Sequence, residues 1–383
     1  MAKKALILSL LLITAKLSFA QDIAFARQMV DTLTSSHFWG RGYNNEGMHK
    51  AGRFLASQFQ SYGLKPIDGK SFFQDFSYPV NTFPGSMEVS VNGKKLLPGR
   101  DFIVAPESNG GRGKATLIRQ DSTRFLDTIN KVALLIKDKL TWSVAAKAVG
   151  YAIIVADKKS LPVSPTEIEF NIENLQIQNF KAANICAIIK GTKKPDSVLV
   201  ISGHYDHLGG MGNDTYFPGA NDNASGISLL LGLAKYYAAN PQPYSIAFIA
   251  FAGEEAGLIG SKYFTEHPLL SLDKIRFLIN IDMVGTGDDG ITVVNGLQYP
   301  KEYSILTQLN KADHYLLKVN ARGKAANSDH YWFTEKGVPA FFIYTLGGIK
   351  AYHDVFDISS TLPLNEYEDL FKLITKFNMR LMK

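Results

Sequence analysis

The chain has 383 residues, 46% hydrophobic and 20% charged. This balance excludes a disordered or collagen-like protein and leaves room for two or three domains without disulfide staples. The formal charge is +6, but Lys3, Lys4 and Lys16 stand in a first stretch that has no acid, leaving 38 basic against 35 acidic residues. So small a margin gives no argument for nucleic acid or an anionic membrane as partner, and neither is expected.

Lys3 and Lys4 precede an apolar run from Ala5 to Thr14, and Ser18-Phe19-Ala20 offers small residues where a signal peptidase cuts. Residues 1–20 are therefore expected to be an export signal, with the mature chain starting at Gln21 in the periplasm or outside the cell. The run is shorter than the ~20 residues a membrane span needs, so no transmembrane anchor is expected. Cys186 is the only cysteine, which excludes an intramolecular disulfide and a zinc–thiolate site. Within Asn-Ile-Cys-Ala-Ile-Ile it reads as a small buried strand residue.

From Asp22 to Leu64 apolar residues recur at helical spacing, notably Met48, Ala51, Phe54, Leu55 and Phe59, and predict two helices. Between about 71 and 180 short strand-like runs alternate with Gly, Pro and Asn, including a hairpin signal at Val91-Asn92-Gly93. Within them, strands at 132–136 and 151–155 flanking a helix at 141–149 predict a β-α-β unit. After Ala182 the pattern becomes α/β. Strands are expected at 197–202, 244–252, 276–282, 291–294 and 339–344, with helices at about 225–238, 258–266, 301–311 and 364–382. This alternation predicts a mostly parallel mixed sheet covered by helices on both faces. The expected division is 21–80 with 181–383 as the main domain and 81–180 as a smaller inserted α+β domain.

The polar residues of interest stand where these strands end. One strand leads to Gly203-His204-Tyr205-Asp206-His207, the next to Gly253-Glu254-Glu255, and a third to Asp282. Asp222 lies in Gly-Ala-Asn-Asp-Asn-Ala-Ser-Gly before a helix, and His353 in Tyr-His-Asp-Val-Phe-Asp after the last strand. In an open α/β sheet ligands bind outside the carboxyl ends of the strands. A lone histidine or helix-start aspartate has an ordinary structural use, but two imidazoles with three or four carboxylates on one sheet edge predict a metal site. The nitrogen and oxygen set suits zinc, with manganese or cobalt as substitutes, and the carboxylates exceed what one tetrahedral ion uses.

These residues resemble the di-zinc aminopeptidase family of exported metallo-exopeptidases, with the zinc exopeptidase (phosphorylase/hydrolase-like) fold. The matching motifs are His-x-Asp, Gly-x-x-Asp-Asn-x-Ser-Gly, the Glu-Glu pair, Asp-Met and a late His. Gly40-Arg41-Gly42, Gly63-Leu64-Lys65-Pro66, Ser328-Asp329-His330 and Gly337-Val338-Pro339-Ala340 extend the match. The middle segment resembles, more weakly, a protease-associated insert.

The resemblance implies that Asp222 bridges two zinc ions, with His204 and Asp282 completing one and Glu255 and His353 the other. Glu254 is then the general base that deprotonates the water between them, and Asp206 holds the other N–H of His204. The implied substrate is a peptide, shortened from its N-terminus. One position departs from the family: the tyrosine that often precedes Ser-Asp-His and stabilises the oxyanion is replaced within Ala325-Ala326-Asn327. Tyr344, Tyr352 and His330 are alternatives for that role, and the sequence does not rank them. The related glutaminyl cyclases, which use one zinc, carboxypeptidases of the same family and a non-catalytic binding domain are the competing readings. Gly285-Thr-Gly287-Asp-Asp-Gly290 leads into a strand and carries acids where a pyrophosphate would sit, so no nucleotide is expected. No G-x-S-x-G or H-E-x-x-H occurs. His37, His49, His267 and His314 lie away from acidic clusters and read as packing or surface residues.

Overall fold

The computed structural model describes residues 23–162 and 164–383. The expected export signal at 1–20 lies outside them. The frame is a nine-stranded sheet. In chain order its strands are β1 (Lys65–Pro66), β2 (Phe73–Thr82), β3 (Leu175–Ile189), β4 (Lys194–His204), β5 (Tyr244–Phe251), β6 (Ile275–Ile281), β7 (Ile291–Val294), β8 (Val319–Arg322) and β9 (Ala340–Thr345). They lie side by side as β1-β3-β5-β4-β6-β9-β7-β8, with β2 also paired to β3. The central four, β5, β4, β6 and β9, are parallel. β3 and β7 join them antiparallel at either side. The sheet is mixed, as expected, with its parallel part in the middle.

Alternation along the central strands sends side chains into two separate cores. Leu199 and Ile201 of β4 and Ile246, Phe248 and Ala250 of β5 face one side. Val198 and Val200, with Ala247, Ile249 and Phe251, face the other. Both sets are buried, so these strands read as nearly continuous apolar runs. The first face is covered by α1 (Ile23–Leu33), α2 (Gly47–Ser61), α3 (Gly226–Ala239), α5 (Pro300–Asp313) and α7 (Tyr367–Leu381), and the second by α4 (Ile259–Glu266) and α6 (His330–Glu335). In α2 the buried residues are Gly47, Met48, Ala51, Gly52, Leu55, Ala56 and Phe59, one stripe at 3.6-residue spacing. Burying a Leu or Phe there stabilises by about 1.5–3 kcal/mol. Cys186 lies fully buried in β3, and burial raises its thiol pKa. No helix of the described residues is long and apolar enough to cross a membrane.

Residues between β2 and β3 form a four-stranded and a five-stranded sheet around Val89, Phe102, Leu134, Ile154 and Phe170. Trp142, Leu208, Met211 and Phe217 join this core, so it includes residues that follow His204. The Asn92-Gly93 turn links strands Met87–Val91 and Lys94–Leu96 with φ of 48° and 76°, the positive pair that a two-residue hairpin requires. Strands Val132–Lys137 and Ala152–Asp157 pair in parallel, but the helix expected at 141–149 is not formed. Its backbone is claimed elsewhere: Asn81 N donates to Ala145 O at 2.8 Å and Trp142 N to His353 O at 2.9 Å. The Gln176 side chain takes Ala148 N and Ala146 O. Tertiary partners outcompete local helix bonds over this stretch.

Candidate active site

The parallel strands deliver their polar ends to one edge of the sheet. His204 is the last residue of β4, Glu254 and Glu255 follow β5, Asp282 follows β6, and His353 lies in the loop after β9. Asp222 sits in the turn at 220–225 that leads into α3.

The residues of that turn each have a task. Asn223 Nδ2 donates to Ile281 O at 3.0 Å, while its Oδ1 accepts Gly226 N at 2.9 Å and Met283 N at 3.2 Å. Ser225 Oγ donates to Asn221 O at 2.7 Å and accepts Val284 N at 2.9 Å. Asn221 Oδ1 accepts Gly285 N at 2.9 Å. The turn is thereby stapled to the segment after β6, which fixes Asp222 beside Asp282. Gly226 has no alternative, because a Cβ there would collide with Asn223 Oδ1. From the far side Asp357 accepts Asn221 N at 2.9 Å and Asp222 N at 3.0 Å, joining the loop of His353 to the loop of Asp222. Arg41 is fully buried and donates to the carbonyls of Tyr205 (2.9 Å), Pro218 (2.7 Å), Gly219 (2.8 Å), Leu33 (3.1 Å) and Asp222 (3.2 Å). Burial, only partly offset by neighbouring carboxylates, lowers its pKa to about 10.

Asp222 offers its two oxygens to two separate groups. Oδ1 lies 3.3 Å from His204 Nε2, and the same nitrogen lies 3.2 Å from Asp282 Oδ1. Oδ2 lies 3.1 Å from His353 Nε2, which is also 3.1 Å from Glu255 Oε2. The other oxygen of each outer carboxylate is tethered. Glu255 Oε1 meets His207 Nδ1 at 2.7 Å. Asp282 Oδ2 accepts Ser328 Oγ at 3.3 Å, at the end of a buried relay from Ser202 through Asn280 to Ser328. Glu254 groups with His204 and Asp282, whereas Glu255 comes near His204 and Asp222 and meets His353.

This donor set fits divalent cations. Atoms that share a tetrahedral zinc at ~2.0–2.1 Å stand about 3.3 Å apart, close to the separations within each group. Asp282 Oδ1 is buried with no hydrogen bond even though His204 Nε2 is 3.2 Å away, the condition of a donor aimed at something other than a proton. The electrostatics agree. Burial, partly countered by His204, pushes the carboxyls of Asp206 and Asp329 up to about 7, and burial raises Glu254 well above its ordinary value. Burial and the Asp222 charge oppose ionisation of Glu255, yet His353 and His207 hold it down at about 2. Burial would lower His353, but Glu255 and Asp222 push it up to about 11. So much negative charge in one buried volume, with Arg41 spent on carbonyls, calls for cations.

One expectation changes in detail. Asp206 does not hold the His204 ring through its carboxylate: His204 Nδ1 donates to the Asp206 carbonyl at 3.1 Å, and the nearer carboxylate oxygen is at 3.8 Å. The carboxylate instead accepts Glu254 N at 3.2 Å and Glu255 N at 3.3 Å, because the backbone after β5 presents two amides that have no strand partner there. Of the three groups weighed for the oxyanion, Tyr352 stacks on His353 with ring centroids 4.0 Å apart. Burial raises its hydroxyl pKa, and so do Asp222, Glu255, Asp282 and Glu254, so the hydroxyl lies within reach of their field. His330 is buried against Phe342, and Tyr344 packs on the same ring.

Sequence reasoning passed over His207, Asp357 and the support role of Arg41. His207 stands three residues after His204, but its value depends on Glu255, 48 residues away. The same holds for Asp357, whose partners Asn221 and Asp222 lie about 135 residues away.

Comparison with known proteins bears on the same residues. Aminopeptidase YwaD of Bacillus subtilis (strain 168) is 29% identical over 272 residues, 62% of this chain and 56% of that relative. The chain spans about half the length of this relative and about a quarter of several other curated relatives. Among solved structures, BSAP, a zinc aminopeptidase from Bacillus subtilis, superposes with a TM-score of 0.69 at 19% identity, covering 94% of this chain and 95% of that one. The glutaminyl cyclase of Bacteroides thetaiotaomicron, bound to N-acetylhistamine, has a TM-score of 0.55 at 15% identity, covering 94% and 97%. These likenesses carry the fold. The family model for peptidase family M28 matches residues 184–378, more than half the chain and the segment that supplies His204, Asp222, Glu254, Glu255, Asp282 and His353; the chain belongs to peptidase family M28.

Proposed function

We propose that the protein is an exported aminopeptidase whose cleft holds two zinc ions. The observation that carries the reading is the division of the Asp222 oxygens, one toward His204 and Asp282 and the other toward His353 and Glu255. His204, Asp282 and Asp222 would hold one ion, and His353, Glu255 and Asp222 the other. Zinc is the metal named for the Bacillus structure. Bound there, zinc supplies Lewis acidity toward the scissile carbonyl and makes water acidic enough to attack at neutral pH.

The chain's own groups do the rest. Glu254 takes the proton from the attacking water at its carboxylate and passes it to the leaving amine nitrogen. Its backbone is fixed for this by the Asp206 carboxylate. The Tyr352 hydroxyl donates to the oxygen that gains charge as the carbonyl becomes tetrahedral. Asp206 and Asp357 tie the backbones of the Glu254–Glu255 and Asp222 segments, so the carboxylates keep their aim without substrate.

The test is hydrolysis of a panel of aminoacyl-anilides before and after chelation. The proposal predicts release that chelation abolishes and zinc restores. Cyclisation of N-terminal glutamine with no anilide release would move the reading to the glutaminyl cyclase, whose fold the chain shares.

A further inference from the structure

His353 is gripped by a segment far from it in sequence and outside the central sheet. Its Nδ1 donates to the Trp142 carbonyl at 2.9 Å, and Trp142 N donates back to the His353 carbonyl at 2.9 Å. This pair sets the ring tautomer and leaves Nε2 facing Asp222 and Glu255. Trp142 is itself anchored. It is 4% exposed, its ring stacks on Phe217 at 4.5 Å, and its indole N–H donates to Val104 O at 2.8 Å. Three residues earlier, Lys139 Nζ donates to Lys350 O at 3.0 Å and lies 3.6 Å from Asp354 Oδ2. Asp354 in turn accepts Phe356 N at 2.9 Å and Tyr352 N at 3.3 Å. Residues 139–142 therefore touch the loop on both sides of His353. That loop needs outside support, because His353 has φ of 53°, a conformation that non-glycine residues rarely hold on local preference alone.

We propose that residues 139–142 are a positioning clamp for His353, so that the inserted region sets the cation affinity of the His353 and Glu255 half of the centre. This also accounts for the absent helix at 141–149, whose backbone is committed to His353 and Asn81. Outer contacts of this kind typically change metal affinity by ~10–100-fold. The inference rests on the two-metal reading above, and the test separates the two.

The metal-free protein is titrated with Co²⁺ alone, followed by calorimetry and by visible absorption, which reports ligand geometry at each ion. Wild type should take up two ions. Trp142→Ala should keep one with unchanged affinity and spectrum and bind the other at least ~10-fold more weakly. Trp142→Phe, which retains a ring against Phe217, should recover most of the loss. Should Trp142→Ala not fold, Lys139→Met alters a half-exposed side chain and should weaken the same step by a smaller factor. Unchanged uptake of both ions in a folded Trp142→Ala or Lys139→Met protein, or equal weakening of both, would overturn the clamp. Fewer than two ions in the wild type would overturn the metal reading itself, before any variant is compared.

Discussion

At the scale of single residues, the site separates groups that face the reaction from groups that hold them. In the proposed mechanism Glu254 belongs to the first kind. Glu254→Gln keeps the shape but cannot carry a proton, so activity should fall about 10²–10⁴-fold while metal content, read by elemental analysis, stays at the wild-type value. His207 belongs to the second. It is fully buried and touches Glu255 through Nδ1 at 2.7 Å. His207→Ala should weaken binding of one ion by ~10-fold or more and leave the other unaffected, which a Co²⁺ titration reads directly. The residues at the strand ends were legible because several metal-competent side chains follow buried apolar strands on one sheet edge, a conjunction that ordinary structural uses of each do not explain. His207 was not legible, since its worth comes from a carboxylate on another strand. Nor was the Asp206 contact legible, since no sequence pattern shows that the carboxylate is taken by the Glu254 and Glu255 amides, leaving the carbonyl to His204.

At the scale of elements, strands and helices whose periodicity came from burial were readable. β4 to β7 and β9 and helices α3 to α5 and α7 form close to their expected limits, because alternation and helical stripes are direct records of which face meets the core. The stretch at 141–149 was misread for the converse reason. Its Ala-rich composition favours a helix, but its amides and carbonyls are spent on Asn81, Gln176 and His353. Loops hold the site, and Arg41 holds the loops. Arg41→Met would leave five carbonyl acceptors in a buried place without their donor, so stability measured by urea unfolding should drop by at least about 3 kcal/mol.

At the scale of the whole molecule, the cleft concentrates negative charge that folding alone does not pay for. In the metal-free protein Asp206 and Asp329 titrate near 7 in the folded state, through burial, against about 4 when unfolded. The folded chain then binds more protons than the unfolded one between those values, so stability falls as pH rises from about 4 through 7. His353, pushed up to about 11 against burial by Glu255 and Asp222, continues the trend: its contribution is complete below about 6.5 and is lost as pH rises toward 11. Zinc should reverse the balance, since its ligands bind deprotonated. Melting temperature against pH, with chelator and with zinc, should show a steep decline in the first case and a raised, flatter profile in the second.

In the proposed centre one carboxylate, Asp222, serves two ions held by two different histidines. The measurement to make is zinc per chain in the purified protein and in two folded variants, His353→Ala and Asp222→Ala. The two-ion centre predicts about two in the wild type, about one in His353→Ala, and a loss at both positions in Asp222→Ala. One zinc per chain in the wild type, unchanged by His353→Ala, would contradict it.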